Sequence, residues 1–129
     1  MSAASEAYAR AKAFTVKSFV RPEETRSFEK GRMDVVTLGG VTFGRATFEP
    51  GWKWSTCVKP VVKTETCQTA HLGYQISGRL HVRMDDGTEK EIGPGEVCSI
   101  PPGHDAWVVG NERVVILDIT GAGDYAKPK

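Results

Sequence analysis

Three side chains of kinds that bind metal ions lie close together in one short stretch of the sequence. Glu65, Cys67 and His71 occupy alternating positions in the run ETCQTAHLGYQISG. If this run is a β-strand, the three side chains share one face, because successive side chains of a strand point to opposite sides. A carboxylate, a thiol and an imidazole on one face form a candidate metal-ligand set. A second imidazole, His104, follows the Pro-Pro-Gly turn of GPGEVCSIPPGHDAW and is the fourth candidate ligand.

This mixture of ligands favours one divalent metal ion, with zinc as the first choice and iron as the second. Thiolate and imidazole suit zinc, whereas the facial arrangement that binds ferrous iron uses two histidines and a carboxylate without a thiolate. A zinc with three protein ligands keeps an open position for a substrate oxygen. In that arrangement Glu65 is a candidate catalytic base and not a ligand.

Two further residues are candidates for contact with a bound small molecule. Gln75 has the same strand parity as the candidate ligands, so its amide is predicted to point inward. Trp54 shares a face with Trp52 if their segment is extended, and it either lines a ligand pocket or packs in a sheet or subunit interface. Asp105 has the opposite parity to His104 and is predicted to face outward.

The elements that must position these side chains are predicted to be short β-strands. Runs rich in β-branched and aromatic residues alternate with Gly, Pro, Asp and Asn at regular spacing, which is typical of an all-β sandwich or barrel. Gly39-Gly40 and Asp86-Gly87 are signals of two-residue hairpins. We predict a first strand at residues 14–20. Residues 57–66, which Pro60 interrupts, are predicted to be a loop or an irregular strand.

Length, charge and cysteine content limit the classes of function. A chain of 129 residues is predicted to hold one domain, with a barrel at 13–120, an arm or short helix at 1–12 and a tail at 121–129. The net charge of +1 and the lack of a basic run argue against nucleic-acid binding. No apolar run approaches the roughly 20 residues that cross a membrane. An odd number of cysteines without an export signal predicts reduced thiols and a cytoplasmic location.

The later half of the chain resembles the small single-domain cupins. The resemblance lies in YQISGRLHVRMDDGTEKEIGPGE and in the second cupin motif, GEVCSIPPG, and the two together span residues 74–103, about a quarter of the chain. It implies a jelly-roll β-barrel that processes a small oxygenated metabolite by lyase, isomerase, cyclase or oxygenase chemistry. It also implies a homodimer, in which Trp52, Trp54 and Trp107 could help to cover sheet edges. A module that binds or senses a small molecule without turnover, with or without a metal, stays open as the alternative.

The sequence departs from the usual cupin ligands at every ligand position. Counting back from Gly78 places the family's glutamate ligand on His71 and its first two histidines on Glu65 and Cys67. The histidine of the second motif falls on Ala106, which cannot bind a metal.

The resemblance therefore implies a non-standard ligand set, which comprises Glu65, Cys67, His71 and His104. His104 lies two residues before Ala106 and has the same strand parity, so it can aim inward from the rim. A rival alignment, counted forward from Gly51, places Cys57 and Lys59 on the first two histidine positions, with an insertion before His71. This alignment makes Cys57 a reserve ligand that could replace one of the four.

Overall fold

The chain folds into two antiparallel β-sheets, with two short helices between the third and fourth strands. The structure is a computed structural model that describes residues 13–119 and 125–127. The strands of this part of the chain are β1 (Glu24–Phe28), β2 (Gly31–Leu38), β3 (Val41–Phe48), β4 (His71–Ser77), β5 (Arg79–Met84), β6 (Glu89–Ile92), β7 (Val97–Ile100), β8 (His104–Val109) and β9 (Val114–Asp118). The helices are α1 (Trp54–Cys57) and α2 (Lys59–Val62).

The two sheets enclose one hydrophobic core, as the alternation of apolar residues predicts. The larger sheet has the strand order β1-β2-β3-β9-β4-β7, and the smaller has the order β6-β5-β8. The smaller sheet contributes Leu80 and Val82 of β5 and Val108 of β8 to this core. The larger sheet contributes Val114 and Ile116 of β9. The all-β barrel predicted from the sequence is therefore confirmed.

Both predicted glycine hairpins are present, but only the first is a two-residue turn. Gly39 and Gly40 join β2 to β3 with φ angles of 61° and 76°, which glycine adopts without the steric cost that other residues meet. The turn between β5 and β6 has three residues, 85–87, because the N–H of Met84 donates to the carbonyl of Thr88 at 2.8 Å. Gly87 alone in this turn has a positive φ, 91°. These turns set the register of the strands that follow them.

The predicted first strand is wrong. Residues 14–20 form no strand, and Phe14 is 97% exposed. The first strand is β1, which pairs with β2 from Glu24↔Val35 to Phe28↔Gly31. A run with β-propensity becomes a strand only when another strand pairs with it, and β2 pairs with the polar run ETRSF instead.

Residues 54–57 and 59–62 are helical, contrary to the prediction, whereas residues 63–66 form neither helix nor strand and agree with the predicted loop. Pro60 lies in the first turn of α2, where its missing N–H and fixed φ are tolerated. Lys63 ends α2 in the left-handed conformation with a φ of 62°. Trp52 and Trp54 are both buried, so neither covers a sheet edge for a second subunit.

The two ends of the chain are described only in part. The arm or short helix predicted for residues 1–12 lies outside the described residues, and the predicted domain boundaries stay predictions. Within the predicted tail, Tyr125 and Ala126 are buried in the core, and Arg26 Nη1 donates a hydrogen bond of 2.7 Å to the carbonyl of Tyr125. No helix in the described ranges is long and apolar enough to cross a membrane.

Candidate metal centre

Cys67 is fixed beside the start of β8 by backbone hydrogen bonds. Residues 63–70, which lead into β4, are not in a regular strand. Within them, Cys67 forms an isolated β-bridge with His104. The Cys67 N–H donates to the carbonyl of His104 at 2.8 Å, and the N–H of Gly103 donates to the carbonyl of Cys67 at 2.7 Å. The two side chains are therefore neighbours although 37 positions separate them in the sequence.

The structure brings three of the four predicted ligands together. The ligand atoms of Cys67, His71 and His104 all lie within 4.8 Å of one another. Sγ of Cys67 is 3.7 Å from Nε2 of His71. Cys67 and His104 are 3% exposed, and the side chain of His71 is 11% exposed. This Cys/His/His cluster could hold a metal ion.

The hydrogen bonds of the two imidazoles orient them towards the cluster. Nδ1 of His71 lies 2.6 Å from Oδ2 of Asp118, and Nδ1 of His104 lies 2.8 Å from the carbonyl oxygen of Pro101. Carbonyl and carboxylate oxygens accept, so each Nδ1 donates and each Nε2 remains for a ligand. Metal-binding histidines are commonly held by this kind of hydrogen bond from the other ring nitrogen. The donor set and its orientation thus fit a divalent cation.

The cluster stabilises the deprotonated form of its thiol. Burial opposes ionisation of Cys67, but hydrogen bonds and charge interactions with His104 and His71 outweigh it and lower its pKa to about 6. Burial likewise opposes protonation of His71, but its hydrogen bonds with Asp118 and Cys67 raise its pKa to about 9. At neutral pH the pair is a thiolate and an imidazolium, and a cation would replace the proton on Nε2 of His71.

A small apolar cavity lies next to the cluster. The volume of this cavity is about 40 Å³, which is room for a few water molecules or a small ligand. His71 and His104 line it, together with Asp118. The remaining lining residues are apolar or aromatic: Met33, Ala46, Phe48, Trp52, Trp54, Gly73, Leu80, Ile100, Ala106, Ile116 and Tyr125. The predicted contact residue Trp54 is thus in the cavity wall.

Glu65 does not join the cluster. Its side chain is 94% exposed, and its carboxylate forms an ion pair of 3.0 Å with Nζ of Lys59. The alternation that predicted an inward Glu65 holds only within a strand, and β4 begins at His71. The structure therefore supports Glu65 neither as a metal ligand nor as a catalytic base.

Gln75 and Cys57 are buried in the fold but lie outside the Cys/His/His cluster. Gln75 points inward as predicted, but its Nε2 donates to the carbonyls of Gly78 at 3.1 Å and Ile92 at 3.4 Å, and it does not line the cavity. Cys57 is buried in α1 and is not part of the described metal-ligating cluster.

Asp105 lies on the opposite face of β8 from His104 and Ala106, as predicted, and it pairs with Arg83 of β5, but it is only 7% exposed. It accepts hydrogen bonds from the N–H of Ser55 at 3.1 Å and the N–H of Ala106 at 2.9 Å, and these bonds hold the start of α1 against β8.

Two residues of the site, Asp118 and Tyr125, were not predicted from the sequence. Asp118 has the parity of the buried residues Val114 and Ile116 in β9, so a lone carboxylate on an apolar strand face was the available signal. Tyr125 follows the barrel in a short Gly/Lys/Pro-rich tail, and no periodic pattern there indicates that its ring enters the core.

Comparisons with known proteins identify the fold. No protein-family model and no curated protein matches the chain. A solved Rhizobium leguminosarum protein of unknown function is 22% identical, with a TM-score of 0.60 over 92% of this chain and 100% of that one. A cupin-like protein of Thermotoga maritima is 16% identical, with a TM-score of 0.53 over 84% and 82% of the two chains.

A mutant of Bacillus subtilis oxalate decarboxylase is 23% identical, with a TM-score of 0.51 over 77% of this chain and 28% of that one. Likeness at these identities shows the fold alone. The chain has the cupin β-barrel fold, and its barrel contains a Cys/His/His cluster that could hold a metal ion.

Proposed function

We propose that this protein is a metal-dependent cupin enzyme that binds one divalent cation and acts on a small oxygenated metabolite in the barrel. The ligands are Sγ of Cys67 and the Nε2 atoms of His71 and His104. The observation that carries the proposal is the pair of Nδ1 hydrogen bonds, to Asp118 and to the carbonyl of Pro101, which turn both Nε2 atoms towards one thiol.

Zinc is the proposed cation, and iron is the second choice. One thiolate and two imidazoles are ligands that zinc accepts readily. The facial iron site needs a carboxylate ligand, but Glu65 is exposed and Asp118 is hydrogen-bonded to His71. The lowered pKa of Cys67 supplies a thiolate for the cation at neutral pH.

The chain's own residues prepare the site for chemistry on an oxygen atom. Asp118 fixes the ring of His71, and the apolar wall excludes bulk water, which strengthens electrostatic interactions inside the cavity. A cation held at the cluster supplies Lewis acidity that polarises a carbonyl or hydroxyl oxygen of a bound molecule. With zinc, the proposed reaction is of the lyase, isomerase or cyclase type, because zinc has no redox chemistry. Oxygenase chemistry goes with the second choice, iron.

Metal analysis of the purified protein tests the cation. We expect one zinc or iron per chain, lost in Cys67→Ala and in His71→Ala. The matched controls are Cys57→Ala and Cys98→Ala, which remove thiols outside the cluster and should keep the ion. Metal-free protein whose melting temperature does not change with added zinc or with chelator would refute the proposal.

Binding without turnover is the second candidate function. The titratable side chains among the described lining residues are His71, His104, Asp118 and Tyr125, and the first three already belong to the cluster or support it. This scarcity of acid–base groups favours a module that captures or senses a small molecule. Incubating zinc-loaded protein with a bacterial metabolite extract separates the two, because an enzyme consumes a compound that a binding module returns unchanged.

We also propose a homodimer, formed through the outer face of the larger sheet. Leu72, Tyr74 and Ile76 of β4 are 42%, 46% and 50% exposed, and Val97 of β7, which pairs with Tyr74, is 77% exposed. Ile119, just after β9, is 40% exposed. A continuous exposed apolar face of this kind commonly marks a protein interface.

The cytoplasm is the proposed compartment. Cys57, Cys67 and Cys98 are all free thiols, which a reducing compartment preserves. A thiolate ligand also requires that Cys67 stays reduced.

A further inference from the structure

Two buried hydrogen-bond donors next to the cavity have no partner among the described residues. They are Nε1 of Trp52 and the hydroxyl of Tyr125, whose residues are 2% and 3% exposed. Buried polar groups are nearly always hydrogen-bonded, so each unpaired one requires an explanation. The third such atom, Oε1 of Gln75, belongs to a side chain that does not line the cavity.

Both donors belong to side chains that line the same cavity as His71. The ring of Tyr125 meets the ring of His71 edge-on, with 5.4 Å between centroids. The ring of Trp52 stacks on Phe48 with 3.8 Å between centroids, which holds the indole in place. The two side chains that carry these donors and the histidine ligands of the proposed cation therefore line one apolar cavity.

Neither donor is needed to hold its residue in the fold. The backbone of Tyr125 is anchored by Arg26, and its ring packs edge-on against Phe28 and Phe48 with centroid distances of 6.1 and 6.4 Å. Phenylalanine at this position would keep these contacts. The hydroxyl is thus available to a ligand.

The charges of the cavity wall limit what the ligand can be. The described lining residues include no lysine and no arginine. The two positive charges of the proposed cation are already balanced by the Cys67 thiolate and by the Asp118 carboxylate that holds His71. A phosphate or a dicarboxylate would therefore bury two further negative charges that no other positive group of the wall balances, which is strongly unfavourable in an apolar site. The wall instead suits an apolar body with one carbonyl or carboxyl group.

We propose that the cavity binds a small carbonyl compound or monocarboxylate, with at most one negative charge and no phosphate, and that an oxygen of this ligand accepts hydrogen bonds from Nε1 of Trp52 and the hydroxyl of Tyr125. The contribution of the cation to this binding rests on the proposed function, but the two hydrogen bonds do not. Tyr125 is accordingly a ligand-binding residue.

Titration with propionate, malonate and propionamide tests the proposal. Malonate replaces the methyl group of propionate with a second carboxylate, and propionamide is neutral. In zinc-loaded protein, propionate should shift the assigned indole N–H resonance of Trp52 and should bind at least about 10-fold more tightly than malonate. Equal binding of malonate and propionate, or an unmoved Trp52 resonance at saturation, would overturn the proposal.

Tyr125→Phe isolates the hydroxyl, and Tyr74→Phe is its matched control on the outer sheet face. Tyr125→Phe should weaken propionate about 5- to 10-fold, which is the effect of one hydrogen bond, without lowering the melting temperature or the zinc content. Tyr74→Phe should change none of these. Unchanged propionate affinity in Tyr125→Phe would overturn the role of the hydroxyl.

Propionamide separates failure of this inference from failure of the proposed function. Its carbonyl should shift the Trp52 indole N–H in metal-free protein, because that contact needs no cation. If zinc does not bind but propionamide still shifts this resonance, the metal proposal fails and the donor assignment stands. If zinc binds and neither propionate nor propionamide moves the resonance, the donor assignment is wrong.

Discussion

Nδ1 of His71 donates a hydrogen bond of 2.6 Å to Oδ2 of Asp118, a residue 47 positions later in the sequence. The two residues lie on adjacent strands, β4 and β9, where Asp118 is the register partner of Gly73. This pairing fixes the ring of His71 and raises the basicity of its Nε2. Asp118 is thus a positioning residue for the proposed metal centre.

Asp118→Asn should weaken zinc binding about 10- to 100-fold, as loss of such a supporting group commonly does. The variant keeps the size of the side chain but removes the negative charge that faces Nδ1. A competition titration with a chromogenic chelator measures the change. Asp86→Asn, in an exposed turn, is the control and should leave the zinc affinity unchanged. Equal affinities of the two variants would argue against this role for Asp118.

Glu65→Ala should leave the metal content unchanged, because the structure places this carboxylate outside the cluster and in contact with Lys59. The free energy of unfolding should change by no more than about 0.5 kcal/mol, as for most surface substitutions. Elemental analysis and urea denaturation check both values. Loss of the ion in this variant would restore the ligand role that the sequence alone suggests.

The pH dependence of stability should reveal the Cys67–His71 pair in metal-free protein. The folded pKa of Cys67, about 6, lies below its ordinary value of 9.0, so its stabilising contribution is complete above pH 9 and is lost as the pH falls to 6. The folded pKa of His71, about 9, lies above its ordinary value of 6.5, so its contribution is complete below pH 6.5 and is lost as the pH rises to 9. The two slopes therefore oppose each other.

Cys67→Ala should expose the slope of His71 alone. The hydrogen bond with Asp118 still raises the pKa of His71 in this variant, so the free energy of unfolding should fall as the pH rises from 6.5. Urea denaturation at pH 6.5, 7.5 and 8.5 measures the slope. The double variant Cys67→Ala/Asp118→Asn should lose most of it. Stability of Cys67→Ala that rises over this range would contradict the predicted direction.

Tyr74→Lys should convert the proposed homodimer into a monomer. A charged side chain at the centre of an apolar interface has no partner there, and its burial is unfavourable. Sedimentation velocity of the wild type and the variant measures the mass in solution. Val16→Lys is the control, because Val16 is 77% exposed, like Val97, but lies outside the sheet. A wild-type protein that sediments as a 14.1 kDa monomer would refute the dimer.

The sequence predicted the barrel and most of its later strands because alternation and turn chemistry are local signals. Gly39-Gly40 marked the β2–β3 hairpin, and the strand parity of Gln75 correctly indicated a buried side chain. The failures concern contacts distant in sequence. Asp105 has the predicted face, but its burial depends on the segment that includes Ser55, 50 positions away, whose N–H donates to it, and parity alone cannot reveal such a partner.

The candidate site was predictable in part for the same reason. Cys67 and His71 lie near each other in sequence, and His104 follows a recognisable turn, so all three could be proposed from their spacing. The prediction for Glu65 was wrong because β4 begins only at His71, so strand alternation does not extend back to residue 65. Tyr125 enters the site through aromatic contacts with Phe28 and Phe48, and such contacts have no sequence period.

The backbone bridge between Cys67 and His104 has a consequence for how an ion would be chosen. Because main-chain hydrogen bonds hold these two residues together, the separation of their side chains is set by folding and does not depend on the arrival of a ligand. Such a site loses little conformational entropy when it is filled. Selection among cations of similar charge would then depend on ionic radius and on preference for sulfur, and a larger or harder ion would have to strain the sheet to fit.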